Sequence, residues 1–277
     1  MGQVFFYRIL KIFLVSLPIR CSISLAKLFF KTGYWISSEK RKNVIQNLSV
    51  VCGTENIQHK AREVFASFGR YLVEFLSPFQ KREFLRKSTQ IMGVENVLRA
   101  YKRRKGVIGV TGHIGNWELG AYMTAKLGIE VRAVYLTHPN PRLDHLFMNQ
   151  RRVPGLKVIP WKQDATRRCL EALREGAFLV IAGDVDFAGT GIEVELFGRK
   201  TRIPRGPIVF SKRTGASIVP ASYKWTDSGS CLSFEQPIEP DGCTEEELAS
   251  KIAKSLEKMI RDDPTQWICF EKMWKDQ

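Results

Sequence analysis

Residues 107–120 read VIGVTGHIGNWELG. The apolar, largely β-branched run up to Thr111 has the character of a buried strand, placed at 106–111. Asn116 is a favoured helix N-cap type, which puts Trp117 and Glu118 in the first turn of a helix over 116–127 that Gly128 is placed to end. The stretch therefore reads as strand, tight turn and helix, with one histidine, His113, in the turn.

Outward from this unit the same alternation continues. Candidate strands fall at 130–136, 156–160, 177–182, 193–197, 217–223 and 230–235, and candidate helices at 94–104, 141–151, 163–174, 206–214 and 244–261. Strand and helix at this pitch predict an α/β fold: a mixed, largely parallel central sheet flanked by helices. Ligands of such sheets gather beyond the carboxyl ends of the strands, which is where His113 lies. Upstream, 39–80 reads as helical, with Val64, Phe65, Phe68, Tyr71, Leu72 and Phe75 recurring at three- and four-residue spacing.

The N-terminal stretch 4–30 is the most apolar, but Arg8, Lys11, Arg20 and Lys27 interrupt it and Pro18 divides it. A spanning helix needs roughly 20 mainly apolar residues, so the better reading is an amphipathic, membrane-associating helical segment over 1–31. Phe5, Phe6, Phe13, Leu14, Leu28 and Phe29 would enter the acyl boundary while the basic side chains reach head groups. Residues 32–277 are then expected to form one domain. Trp267 and Trp274 are further candidates for membrane anchoring.

The chain has 277 residues, 44% of them hydrophobic, enough for a substantial core. Its 43 Lys and Arg against 28 Asp and Glu leave a formal charge of +15 spread along the sequence, which favours anionic partners. No nucleic-acid-binding motif accompanies that charge. The six cysteines form no C-x-x-C pair and the four histidines no H-E-x-x-H pair, so neither a disulfide framework nor a metal site is indicated.

A carboxylate in the first turn of a helix suits the dipole, and Glu118 can orient the imidazole of His113. Base and orienter are thus present without a nucleophile, since no Ser or Cys stands in the motif and no G-x-S-x-G occurs elsewhere. A base without a protein nucleophile activates a hydroxyl or amine of the substrate, with amides near Gly112 and Gly115 or at the helix start available to a tetrahedral oxyanion. The same pair can activate water, making a thioesterase or lipid hydrolase the alternative. A basic membrane-binding protein without catalysis is another. Arg151 and Arg152 suit phosphate recognition by a guanidinium fork, and Arg202 and Arg205 precede a helix start at Gly206-Pro207 that can receive a phosphate. With Asn116 they are the candidate substrate-binding residues.

TGHIGNWELG resembles the motif of a histidine, four residues and an acid found in the bacterial lipid A late acyltransferases and their relatives, including the mycobacterial phosphatidylinositol mannoside acyltransferases. Further blocks follow in the family's order: NPRLDHLFMNQRR at 140–152, GDVDFAGTGIEVELFGRKTRIPRG at 183–206, SIVPASY at 217–223 and PTQWICF at 264–270. The resemblance covers about residues 40–272. It implies an O-acyltransferase that moves a fatty acyl chain from an acyl carrier protein or coenzyme A thioester to a hydroxyl of an anionic (glyco)lipid, most of all a lipid A precursor. It also implies action at the cytoplasmic face of the bacterial inner membrane, with no bound cofactor. By position, His113 would be the general base and Glu118 its partner. In some relatives the partner comes instead from the position matching Asp184, where this sequence has Asp in place of their Glu. Whether Glu118 or Asp184 orients His113 stays open at this level.

Overall fold

The computed structural model describes residues 16–274. Pro18 immediately precedes helix α1 (Ile19–Ile36), where its missing N–H deprives the helix of nothing. Helices α2 (Ser38–Cys52) and α3 (Ile57–Leu76) follow. α1 lies along α3: Phe30 meets Phe68 edge-on at 5.3 Å between centroids, and Tyr34 meets Phe65 at 5.8 Å. The two backbones approach closely at Gly69, where a Cβ would stand 2.8 Å from the Ala26 carbonyl oxygen.

α1 runs unbroken through residues 31–32, so the domain boundary expected there falls inside a helix. The face of α1 turned away from α3 leaves Leu25, Leu28, Phe29, Trp35 and Ile36 exposed. Among the described residues no helix is long and apolar enough to cross a membrane. Phe5, Phe6, Phe13 and Leu14 lie outside the described residues.

Next come α4 (Phe79–Lys87), β1 (Thr89–Met92), α5 (Val94–Tyr101), β2 (Val107–Thr111), α6 (Trp117–Lys126), β3 (Val131–Tyr135), α7 (Pro141–Gln150), β4 (Leu156–Pro160), α8 (Ala165–Arg174) and β5 (Phe178–Ala182). A hairpin of β6 (Ile192–Leu196) and β7 (Arg199–Ile203) then leads to α9 (Gly206–Thr214), β8 (Ser217–Thr226), β9 (Gly229–Phe234) and α10 (Glu245–Asp262). Seven strands form one sheet in the order β1-β9-β8-β2-β5-β3-β4, and every neighbouring pair is parallel except β8 and β9. This is the mixed, largely parallel sheet that the alternation of elements predicts.

Each central strand is buried on both faces. Ile108, Val110, Leu179 and Ile181 point into a core that they share with α8, α9 and α10, whereas Val107, Phe178 and Val219 join one built from α3, α5 and α6. Two strands escape sequence reading. β1 has only four residues, too few to show a period. β7, RKTRI, is polar because it pairs only with β6, outside the main sheet. The β6–β7 turn uses Phe197 and Gly198, both at positive φ (53° and 71°), the backbone of a tight two-residue hairpin.

Candidate active site

β2 and β5 are parallel neighbours in register, with Thr111 opposite Ala182. Each chain runs two residues beyond its strand to a side chain at the carboxyl edge of the sheet, His113 from β2 and Asp184 from β5. His113 Nδ1 lies 2.8 Å from Asp184 Oδ1. Asp184 Oδ2 accepts the His113 backbone N–H at 2.9 Å and the Trp267 indole N–H at 3.0 Å. Asp184 is fully buried, and the His113 side chain retains 20% of its exposure.

An ionised carboxylate only accepts, so Nδ1 carries the imidazole proton and Nε2 keeps its lone pair. Burial works against the imidazolium, but the Asp184 charge and hydrogen bond outweigh it and raise His113 above the ordinary histidine value. Burial alone would raise Asp184; its imidazole partner, with the backbone and indole donors, instead holds it below the usual carboxylate range. The pair has the geometry of a base and its orienter, and among the described residues Nε2 has no hydrogen-bond partner.

The turn that presents His113 is set by its neighbours. Gly115 sits at φ +58°, and a Cβ there would stand 2.1 Å from the Tyr223 carbonyl oxygen. Asn116 caps α6 as its residue type predicts, Oδ1 accepting the Leu119 N–H at 3.0 Å. Its Nδ2 donates to Glu74 Oε2 at 2.9 Å. Asn116 is fully buried, so the expectation that it binds substrate is corrected: its polar atoms are spent inside the protein.

Glu74, on α3, is a buried carboxylate that sequence reading passes over because it sits inside an apolar helical stretch. It accepts from Arg70 Nε at 2.8 Å, from Asn116 and from the Trp225 indole at 3.0 Å, tying α3, α6 and β8 together. Glu74→Ala would strand two buried donors, each costing about 1–3 kcal/mol. We expect a loss of about 3–5 kcal/mol in urea unfolding; a loss under about 1 kcal/mol would contradict this role.

Glu118 does not face the imidazole hydrogen-bond partner position. Both its oxygens accept from Arg151 Nε, at 3.0 and 2.9 Å, and Arg151 Nη2 closes the fork. The Arg151 guanidinium lies over the rings of Phe75 (5.2 Å) and Tyr135 (5.0 Å), and its proton is held more tightly than usual, with the Glu118 charge outweighing burial. Of the two carboxylates left open by the sequence, it is Asp184 that the β2–β5 register brings to Nδ1.

Two of the amides offered for an oxyanion are already engaged inside the protein. The Gly115 N–H donates to the Gln266 carbonyl at 2.9 Å and the Leu119 N–H to Asn116, so neither is available. Trp267 and Trp274, read as membrane anchors, are each 2% exposed and belong to the core.

Two cavities meet at His113. One, of about 470 Å³, runs over the ends of β3 and β5 and the start of α9, between Val134, Val180, Ile181, Val209 and Phe210, with Trp161 and Arg205 also on its wall. The other, of about 290 Å³, lies between the α3 aromatics Phe68, Tyr71 and Phe75 and the C-terminal residues Ile268–Glu271. His113, Trp117, Arg151 and Phe187 border both. The Trp117 and Phe187 rings stand edge-on to the imidazole at 4.9 and 6.1 Å. Of the other arginines, Arg205 is paired with Glu245, while Arg152 and Arg202 are exposed and border neither cavity.

A sequence profile of the bacterial lipid A biosynthesis acyltransferase family matches residues 1–276. A phosphatidylinositol mannoside acyltransferase of Mycobacterium tuberculosis is 25% identical over 218 residues, 75% of this chain and 68% of the relative. A lipid A biosynthesis palmitoleoyltransferase of Escherichia coli is 24% identical over 246 residues (86% and 79%), and a lauroyltransferase of the same organism is 23% identical over 251 (86% and 80%). With the profile match spanning nearly the whole chain, the protein belongs to the bacterial lipid A biosynthesis acyltransferase family and is an acyltransferase.

Proposed function

We propose that this enzyme transfers a fatty acyl chain from an acyl carrier protein or coenzyme A thioester to a hydroxyl of an anionic glycolipid, with His113 as general base and no acyl-enzyme. The observation that carries the reading is the His113–Asp184 pair, its Nε2 unengaged among the described residues where two largely apolar cavities meet. Nε2 takes the hydroxyl proton as the oxygen attacks the thioester carbonyl. The tetrahedral intermediate then collapses, the C–S bond breaks, and the imidazolium returns its proton to the departing thiolate. The larger cavity suits an acyl chain, and Arg205 on its wall offers a cation to a phosphate group.

The test supplies a labelled acyl thioester with candidate acceptors, a lipid A precursor and a phosphatidylinositol mannoside. An acceptor-dependent acylated lipid is expected. Free fatty acid alone would make the enzyme a hydrolase, and no turnover at all would leave the non-catalytic reading.

The acceptor is a membrane lipid, and the exposed face of α1 is where we place the protein on the cytoplasmic membrane surface. Leu28 and Phe29 are 66% and 57% exposed, with the basic Arg20 and Lys31 on the same helix. Burying such side chains is worth roughly 1.5–3 kcal/mol each. Leu28→Asp with Phe29→Asp is expected to weaken co-sedimentation with phosphatidylglycerol vesicles by at least about tenfold. Unchanged binding would move the contact elsewhere.

A further inference from the structure

Residues 264–270 lie at the far end of the chain, yet they are built into the catalytic turn. Ile114 and Trp267 form an antiparallel bridge: the Gly115 N–H donates to the Gln266 carbonyl at 2.9 Å and the Ile268 N–H to the His113 carbonyl at 2.7 Å. The Gln266 side chain secures the segment on its other side, accepting the Trp225 N–H at 2.8 Å and donating to the Trp225 carbonyl at 2.9 Å. Trp267 is 2% exposed, and the one polar atom of its side chain, Nε1, is aimed at Asp184 Oδ2.

We propose that Trp267 is a positioning residue for acyl transfer: its indole N–H locks the Asp184 carboxylate in the orientation that presents Oδ1 to His113. Of the three donors on that carboxylate, the two on Oδ2 come from different parts of the chain, the His113 backbone and the C-terminal segment. Together they define the plane of a group that a single backbone N–H would leave free to rotate.

The other charged or titratable groups facing the pair are Glu118, neutralised by Arg151, together with Glu271 and the Cys269 thiol of the C-terminal segment. Asp186, on the cavity wall, accepts the Gly191 N–H. None of these donates to Asp184 in place of the indole.

The inference rests on the reading of His113 as general base. Trp267→Phe removes the N–H and keeps a ring against Trp274, whose centroid is 6.4 Å away. Without the indole the carboxylate is no longer held toward Nδ1, and the Asp184 charge and hydrogen bond that favour the imidazolium weaken. The ring-proton titration of His113, assigned by its disappearance in His113→Ala, is expected to move down by about one pH unit. The acid limb of the kcat/KM profile should follow it, with kcat lowered roughly tenfold and KM little changed. In an Asp184→Asn background the same change should cost less than about twofold, because the group it positions is already disabled.

Should the Phe variant fail to fold, substitution of Trp267 by 3-benzothienylalanine keeps the bicyclic ring without the N–H and carries the same expectations. An unmoved or upward-moving titration overturns the proposal. So does a loss of activity of equal size in both backgrounds. Retained activity in His113→Ala overturns the underlying base assignment instead, so the two failures are distinguishable.

Discussion

His113→Ala is expected to lower kcat/KM by roughly 10²- to 10⁴-fold, the range for loss of a general base. The folded state should survive, because Asp184 Oδ2 keeps the backbone N–H of residue 113 and the Trp267 indole as donors. Circular dichroism and a melting temperature close to wild type are the check on folding, and product formation in a defined vesicle assay the check on chemistry. Near-wild-type turnover would remove His113 from the mechanism. The pH dependence has a definite sign. Burial opposes the imidazolium, but the Asp184 charge prevails and raises His113 above its ordinary 6.5. The base is protonated and inactive below that raised value, so kcat/KM should rise with pH through a midpoint above 6.5, and this limb should vanish in His113→Ala.

Asp184→Asn is expected to be as damaging, on the order of 10⁴-fold, by analogy with the aspartate of a Ser-His-Asp triad. The amide oxygen can still accept the backbone and indole N–H groups that hold Oδ2. What it then presents to His113 is an NH₂ donor, so Nδ1 must accept and the imidazole proton moves to Nε2. The tautomer that remains cannot take a hydroxyl proton. A variant that folds normally but retains more than about a tenth of wild-type kcat would show that Asp184 does not set the tautomer. Glu118 cannot substitute for Asp184, since its carboxylate is held by the Arg151 fork. Glu118→Gln would weaken that fork at the border of both cavities while leaving Asp184 on Nδ1.

Much of this was legible in the chain. Asn116 as a helix cap, His113 in a loop beyond a strand end and the parallel α/β alternation all follow from local rules, because caps, turns and periodicity depend on neighbours within a few residues. Identifying the orienter required more. Glu118 is five residues from His113 and Asp184 is 71 away, and only the Thr111–Ala182 register makes the distant one the partner. Asn116 misled for a related reason. A polar residue beside a candidate catalytic histidine suggests substrate contact, yet its second bond goes to Glu74, 42 residues upstream.

Trp267 shows the limit most clearly. Near a chain end, a tryptophan beside apolar residues resembles an interfacial anchor, and composition cannot distinguish that from a core position. By itself, the sequence determined the fold class and the acyltransferase resemblance and offered His113 as the candidate base, since a lone histidine without a nucleophile in an α/β turn, and the ordered motif blocks around it, are local or linear information. The tertiary structure decided which carboxylate pairs with His113, which residues hold that carboxylate and where the cavities meet. Those depend on strand register and on chain segments that meet only in the folded protein, where a buried charge must find all its donors at once.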